Sequence, residues 1–189
     1  LLAATHGRGL ATEAEAALDE DGKIMALRAR VRAGLGHWMP FSSVVPARNA
    51  ARILPGPYDV RTVDIAAEGF VTTQAPAGIY RGAGRPEAAV LMERLLDEAA
   101  RSTGMDPVEI RRRNLVPARC LPWMTPTGEV LDSGDYAAAL ERACAVADYP
   151  GLRDRQARRR KAGEIVGIGV AVYIEPCGVD WESGKVCLE

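Results

Sequence analysis

A glycine-rich stretch at residues 75–96, APAGIYRGAGRPEAAVLMERLL, runs without a break into the most clearly patterned helical segment of the chain. Its glycines open the backbone to positive φ and to close approach by another group. Pro86 suits a first helical position, where its missing N–H has no intrahelical partner to lose. Beyond it, Ala88, Ala89, Leu91, Met92, Leu95, Leu96 and Ala99 recur at the interval of one buried helix face. The pattern therefore predicts a loop at 76–87 held at the positive end of a helix whose other side is anchored in a core. Such an end attracts phosphates, oxo groups and other electron-rich ligands. Spacing alone leaves a second reading open, a turn that only reverses the chain before a core helix. Gly82-x-Gly84-x-x-Glu87 is half of a dinucleotide-binding fingerprint. The other half is missing, because Glu87 stands where a third small residue belongs and Pro76 and Gly78 interrupt what should be a hydrophobic strand.

Around this stretch the sequence predicts an α+β fold. At 11–35 an acidic turn, Asp19-Glu20-Asp21-Gly22, separates two arms of a β-hairpin. On the second arm Ile24, Ala26, Ala29 and Val31 mix with Lys23, Arg28, Arg30 and Arg32, as on a strand with one solvated face. Prolines at 40, 46, 55 and 57 leave room only for a short helix at 47–54. Residues 58–66 and 69–73, rich in Val, Ile, Thr and Phe, suit two strands, the second leading into the loop. After the long helix, Gly104 reads as a C-terminal cap, and Asp106-Pro107-Val108-Glu109 as a capping box opening a helix to about Asn114. The Arg111, Arg112 and Arg113 run on that helix suits an anion site less well than a solvated face or donors to carbonyls at a helix end. Asp132 or Ser133 is placed to cap a helix reaching Asp148, with Tyr136, Ala139, Leu140, Ala143 and Ala147 on one side. A basic, solvated helix is expected at 151–161, a buried strand at 165–174, and the start of another at 185–188. This gives one unit at 1–189: mainly β to 75, the loop at 76–87, mainly α at 88–162, and a further β region from 163.

Charge is balanced, with 24 basic against 25 acidic residues, so nothing in it argues for nucleic acid or an acidic membrane surface as partner. No apolar run approaches membrane-spanning length, and the start shows no signal-peptide pattern. Cys120, Cys144, Cys177 and Cys187 form no C-x-x-C pair, so a local zinc or iron–sulfur site is not expected and reduced thiols of a cytoplasmic protein are. His6 and His37, the only histidines, read as structural.

The run AGIYRGAGRPEA at 77–88 resembles the active-site loop of the molybdenum-binding large subunits of the xanthine dehydrogenase, aldehyde oxidase and aerobic carbon monoxide dehydrogenase family. The resemblance continues in MDPVEIRRRNLV at 105–116, and extends to THGR at 5–8 and GIGVAVYIEPCG at 167–178. It implies part of a molybdopterin-binding domain in a molybdenum oxidoreductase that oxidises or hydroxylates an aldehyde, purine or other N-heterocycle with water as oxygen source. It further implies a molybdenum cofactor in the cytosine dinucleotide form, with FAD and 2Fe–2S clusters in partner subunits, the FAD-binding medium and the iron–sulfur small subunit.

Tyr80, Arg81, Gly82, Ala83 and Gly84 would then bind the cofactor, chiefly through backbone amides around Arg81 and Gly82. The family's general-base glutamate lies near the C-terminus of a large subunit roughly four times this length. An internal fragment of this kind is expected to have no turnover alone, and Glu87 reads as a first-turn charge and not as that base. Carbon monoxide dehydrogenases carry a copper-bearing cysteine at the position of Gly82, so the resemblance is to the Gly-type relatives. The alternative to an enzyme is a binding or assembly module in which the loop is only a turn.

Overall fold

In the computed structural model, residues 4–175 are described. Cys177, Cys187 and the strand expected at 185–188 lie outside them. The hairpin forms as predicted, with β1 (Leu10–Leu18) antiparallel to β2 (Ile24–Gly36). The Asp19 carboxylate accepts the amides of Asp21 at 3.0 Å and Lys23 at 2.8 Å, which closes the turn. On β2, Ile24, Leu27, Ala29, Val31, Ala33 and Leu35 are buried. Arg28, Arg30 and Arg32 on the outer face meet Glu13, Glu15, Asp64 and Glu68. The alternation is therefore that of a sheet with one face on the core and one in water.

One strand, β3 (Thr62–Val71), stands where two were expected, and it runs parallel to β2 in a sheet of order β1-β2-β3. The ladder continues without a break from Val31↔Ala67 to Ala33↔Gly69, which leaves no gap for a second strand to begin. Residues 58–60 fall outside it because Tyr58 and Val60 turn into the core, with Tyr58 bridging Leu115.

Helix α1 (Val45–Ile53) and helix α2 (Arg85–Thr103) cover the inner face of the sheet. In α2, Pro86 takes the second helical position, behind a left-handed Gly84 cap, and Gly104 closes the other end with φ 69°. Its buried face holds Ala88, Met92, Leu96 and Ala99, and also Glu93, which no apolar spacing marks. Helix α3 (Pro107–Asn114) is capped by the Asp106 carboxylate, which accepts from the Val108 and Glu109 amides. Only this half of the capping box forms, since Glu109 turns its carboxylate to Arg112 and Arg113.

The expectation for the three arginines holds for Arg112 and Arg113 and fails for Arg111, which is wholly buried. It is drawn inward by carboxylates of α2: Nε donates to Glu93 at 2.8 Å and Nη2 to Asp97 at 2.8 Å.

The excursion after α3 contains a short hairpin of β4 (Trp123–Met124) and β5 (Val130–Leu131). Helix α4 (Tyr136–Val146) is capped by Asp135, because Gly134 at φ 125° separates Asp132 and Ser133 from the helix start. Of the side chains expected on its inner face only Leu140 is fully buried. Helix α5 (Tyr149–Lys161) is basic and mostly solvated, as predicted. Residues 165–174 correct the expectation of a buried strand. They are extended, but among the described residues they join no sheet, so alternate side chains are exposed while Val170 and Val172 pack on the core. No helix among the described residues is long and apolar enough to cross a membrane.

The Tyr149 hydroxyl donates to Asp106 at 3.0 Å and so ties α5 to the α3 cap. Partial burial, followed by the Asp106 carboxylate, pushes the phenol up to about 12. A phenol whose pKa is raised on folding stabilises fully below its unfolded value near 10 and loses that contribution as pH rises to about 12. Denaturant unfolding should therefore show the gap between wild type and Tyr149→Phe narrowing across this window. A gap independent of pH would refute the linkage.

Candidate functional site

The loop is built by segments distant in sequence. The amino-terminal THGR run lies along it: the His6 amide donates to the Pro76 carbonyl at 2.9 Å, and the Gly78 amide to the His6 carbonyl at 2.9 Å. Arg8 then crosses to the loop tip. One of its nitrogens donates to the Arg81 carbonyl at 2.8 Å, the other pairs with Glu87 at 3.1 Å, and the guanidinium lies 4.8 Å from the centre of the Tyr80 ring. From below, the Ser43 hydroxyl holds the Ala77 carbonyl at 2.7 Å and the Asn49 amide holds the Ala83 carbonyl at 3.0 Å.

Two tight turns shape the tip. The Ala83 amide donates to the Tyr80 carbonyl and the Arg85 amide to the Gly82 carbonyl, each at 2.8 Å. Gly82 and Gly84 take φ values of 88° and 85°, which L side chains rarely adopt. At Gly84 the reason is also steric, since a Cβ would lie 2.1 Å from the Pro46 carbonyl oxygen of α1.

The residues singled out from sequence are thus brought together, in different environments. Tyr80 and Arg81 are exposed, Gly82 is half-buried, and Ala83 and Gly84 are buried. Among the described residues, the Arg81 and Gly82 amides donate to no protein acceptor, and the Arg81 side chain makes no ion pair. These amides stand at the head of α2, where the helix dipole adds positive potential. Arg85 stands here too, its charge paired with Glu175 while its buried Nε lacks an acceptor among the described residues.

Such a tip suits a ligand rich in oxygen or sulfur acceptors that approaches the main chain closely. Arg8 and Glu175 lie inside the THGR and GIGVAVYIEPCG runs, where the sequence assigned neither a task, and nothing in the sequence marked Ser43 or Asn49. Glu175 pairs with Arg85 at 3.1 Å and lies beside Gly82.

Residues 1–115 match the molybdopterin cofactor-binding domain family. The chain belongs to this family. It is 34% identical over 181 residues to the nicotine 6-hydroxylase large subunit of Paenarthrobacter nicotinovorans, covering 94% of this chain and 22% of that protein. It is 35% identical over 183 residues to the carbon monoxide dehydrogenase large chain of Hydrogenophaga pseudoflava, covering 93% and 22% respectively. Among solved structures, quinoline 2-oxidoreductase from Pseudomonas putida 86 superposes with a TM-score of 0.83 at 31% identity, over 90% of this chain and 22% of that one. The chain thus spans about a fifth of the length of these relatives. The molybdopterin cofactor-binding match ends one residue past α3, so it contains the loop with Arg8, Ser43 and Asn49 but not Glu175.

Proposed function

We propose that residues 1–189 form one wall of the active site in the large subunit of a molybdenum hydroxylase. The observation that carries this reading is the pair of Arg81 and Gly82 amides, open at the head of α2 in a braced loop, within a molybdopterin cofactor-binding domain. The cofactor would be molybdopterin in its cytosine dinucleotide form. When bound it supplies the two-electron oxidation, with water as the oxygen source.

The chain's own part is positional. Tyr80, Arg81, Gly82, Ala83 and Gly84 would hold the cofactor, the Arg81 and Gly82 amides would donate to its acceptor atoms, and Arg8 and Asn49 engage the Arg81 and Ala83 carbonyls. An N-heterocycle is favoured as substrate class over an aldehyde or purine, because nicotine and quinoline name two of the relatives. Gly82 offers no thiolate for copper, which argues against carbon monoxide. FAD and 2Fe–2S clusters would reside in medium and small partner subunits of a cytoplasmic complex; that there are partner subunits at all is supported by a further relative described as a subunit of a dehydrogenase complex.

The test is made in the full-length parent. A side chain at position 82 restricts φ and would press on Pro86, shifting the amides that would face the cofactor, and a displacement near 1 Å can cost about 100-fold. Gly82→Val is expected to lower molybdenum content or turnover roughly tenfold or more with the fold intact, and Arg81→Ala to retain molybdenum and lose less activity. Full molybdenum and full rate in Gly82→Val, with both abolished in Arg81→Ala, would transfer the role to the arginine side chain. An active parent free of molybdenum would leave the binding-module reading in its place.

A further inference from the structure

The extended segment 165–175 is fastened to α2 at two places. Near the middle of the helix, the Glu93 carboxylate accepts the Val172 amide at 3.0 Å, the Arg111 Nε at 2.8 Å and the Tyr58 hydroxyl at 2.5 Å. At the head of the helix, Arg85 Nη1 donates to Glu175 Oε1 at 3.1 Å. Eight helical residues from Arg85 to Glu93 rise about 12 Å, and three extended residues from Val172 to Glu175 span about 10 Å. The two fastenings therefore match in length, and the segment runs antiparallel to α2 toward its amino end. There the carboxylate reaches the loop, with Glu175 Oε1 3.6 Å from where a Cβ on Gly82 would stand.

We propose that Glu175 is a positioning residue of the loop. Its carboxylate, gripped by Arg85 on the Cβ side of Gly82, fixes the turn that presents the Arg81 and Gly82 amides, and Glu93 sets where along α2 it arrives. The Arg85 and Glu175 side chains are 27% and 46% exposed, so solvent screens the pair and it adds little to folding. What it adds is geometry at the loop tip. This inference rests on the cofactor-binding reading for its functional consequence, and on the contacts alone for its structural one.

Its test uses the full-length parent with Glu175→Gln and the exchanged pair Arg85→Glu with Glu175→Arg. The first readout is amide hydrogen exchange at Ala83 and Arg85, whose bonds to Tyr80 and Gly82 define the turns. In Glu175→Gln these amides should exchange about tenfold faster at an unchanged melting temperature, and kcat should fall about tenfold with KM within about twofold. The exchanged pair should restore the exchange rates to within about threefold, an outcome that general destabilisation does not give. Unchanged exchange in Glu175→Gln, or an exchanged pair no better than the single variant, overturns the proposal. Faster exchange in a parent that never holds molybdenum would keep the bracing and discard the cofactor reading, so the two failures are distinguishable.

Discussion

Arg111→Ala is expected to destabilise the full-length protein by about 3–5 kcal/mol, the cost of leaving a buried charge without its partner. Arg111 is the largest fully buried side chain in the described residues. It donates to the Glu93 carboxylate, the Asp97 carboxylate, the Glu93 carbonyl and the Pro107 carbonyl, at distances from 2.8 to 3.1 Å. Burial alone would lower its pKa, but Glu93 and Asp97 more than reverse this, so the guanidinium stays charged. Burial, followed by the Glu93 carboxylate, pushes the Tyr58 phenol far up, so it remains a donor at any ordinary pH.

Without the guanidinium, Glu93 keeps, among the described residues, the Tyr58 hydroxyl and the Val172 amide, too little to compensate a carboxylate in this setting. Arg111→Lys should fall between alanine and wild type, since an ammonium cannot reproduce the planar fork. Arg112→Ala removes exposed pairs with Glu109 and Glu141 and should cost about 0–1 kcal/mol. Denaturant midpoints decide the matter: if the alanine variants at 111 and 112 are equally mild, the buried network holds nothing together.

That network shows where reading the sequence stops. The hairpin, α1, the loop and the length of α2 were legible because their signals are local: alternation, an Asp-rich turn, glycine and proline at helix ends, and one apolar stripe. Glu93 and Arg111 lie on helices where charge ordinarily means solvent, and their pairing joins positions 18 apart. No local pattern states it. The merger of two expected strands into β3 is decided by its parallel partner β2, and parallel pairing leaves no turn signal between neighbours.

The apolar run at 165–174 has strand composition, but composition does not say whether a ladder partner is at hand. At the site, the loop residues were legible as a group. Their support was not, since Arg8 reaches Arg81 across 73 positions and Glu175 reaches Arg85 across 90.

Gly84→Ala is the second large effect, and it should separate the two reasons for glycine in this loop. The added Cβ would meet the Pro46 carbonyl oxygen at 2.1 Å and the Ala50 amide nitrogen at 2.6 Å, both backbone atoms of α1 that cannot swing aside. Overpacking of this kind costs about 1–3 kcal/mol, and a left-handed backbone at alanine about 1–2 kcal/mol more. A loss of about 2–5 kcal/mol is expected, together with a shift of the α2 head away from α1 that carries the Arg81 and Gly82 amides with it. Gly104→Ala supplies the comparison, because Gly104 has φ 69° but open space around its Cβ position. It should show the backbone term alone, about 1–2 kcal/mol. At Gly82 the nearest contact of a Cβ is the Pro86 side chain at 3.2 Å, so Gly82→Ala should resemble Gly104→Ala in stability while still disturbing the loop tip. Equal losses in Gly84→Ala and Gly104→Ala would show that the α1–α2 contact yields freely, and the loop would then owe its shape to backbone conformation and not to the helix packed beneath it.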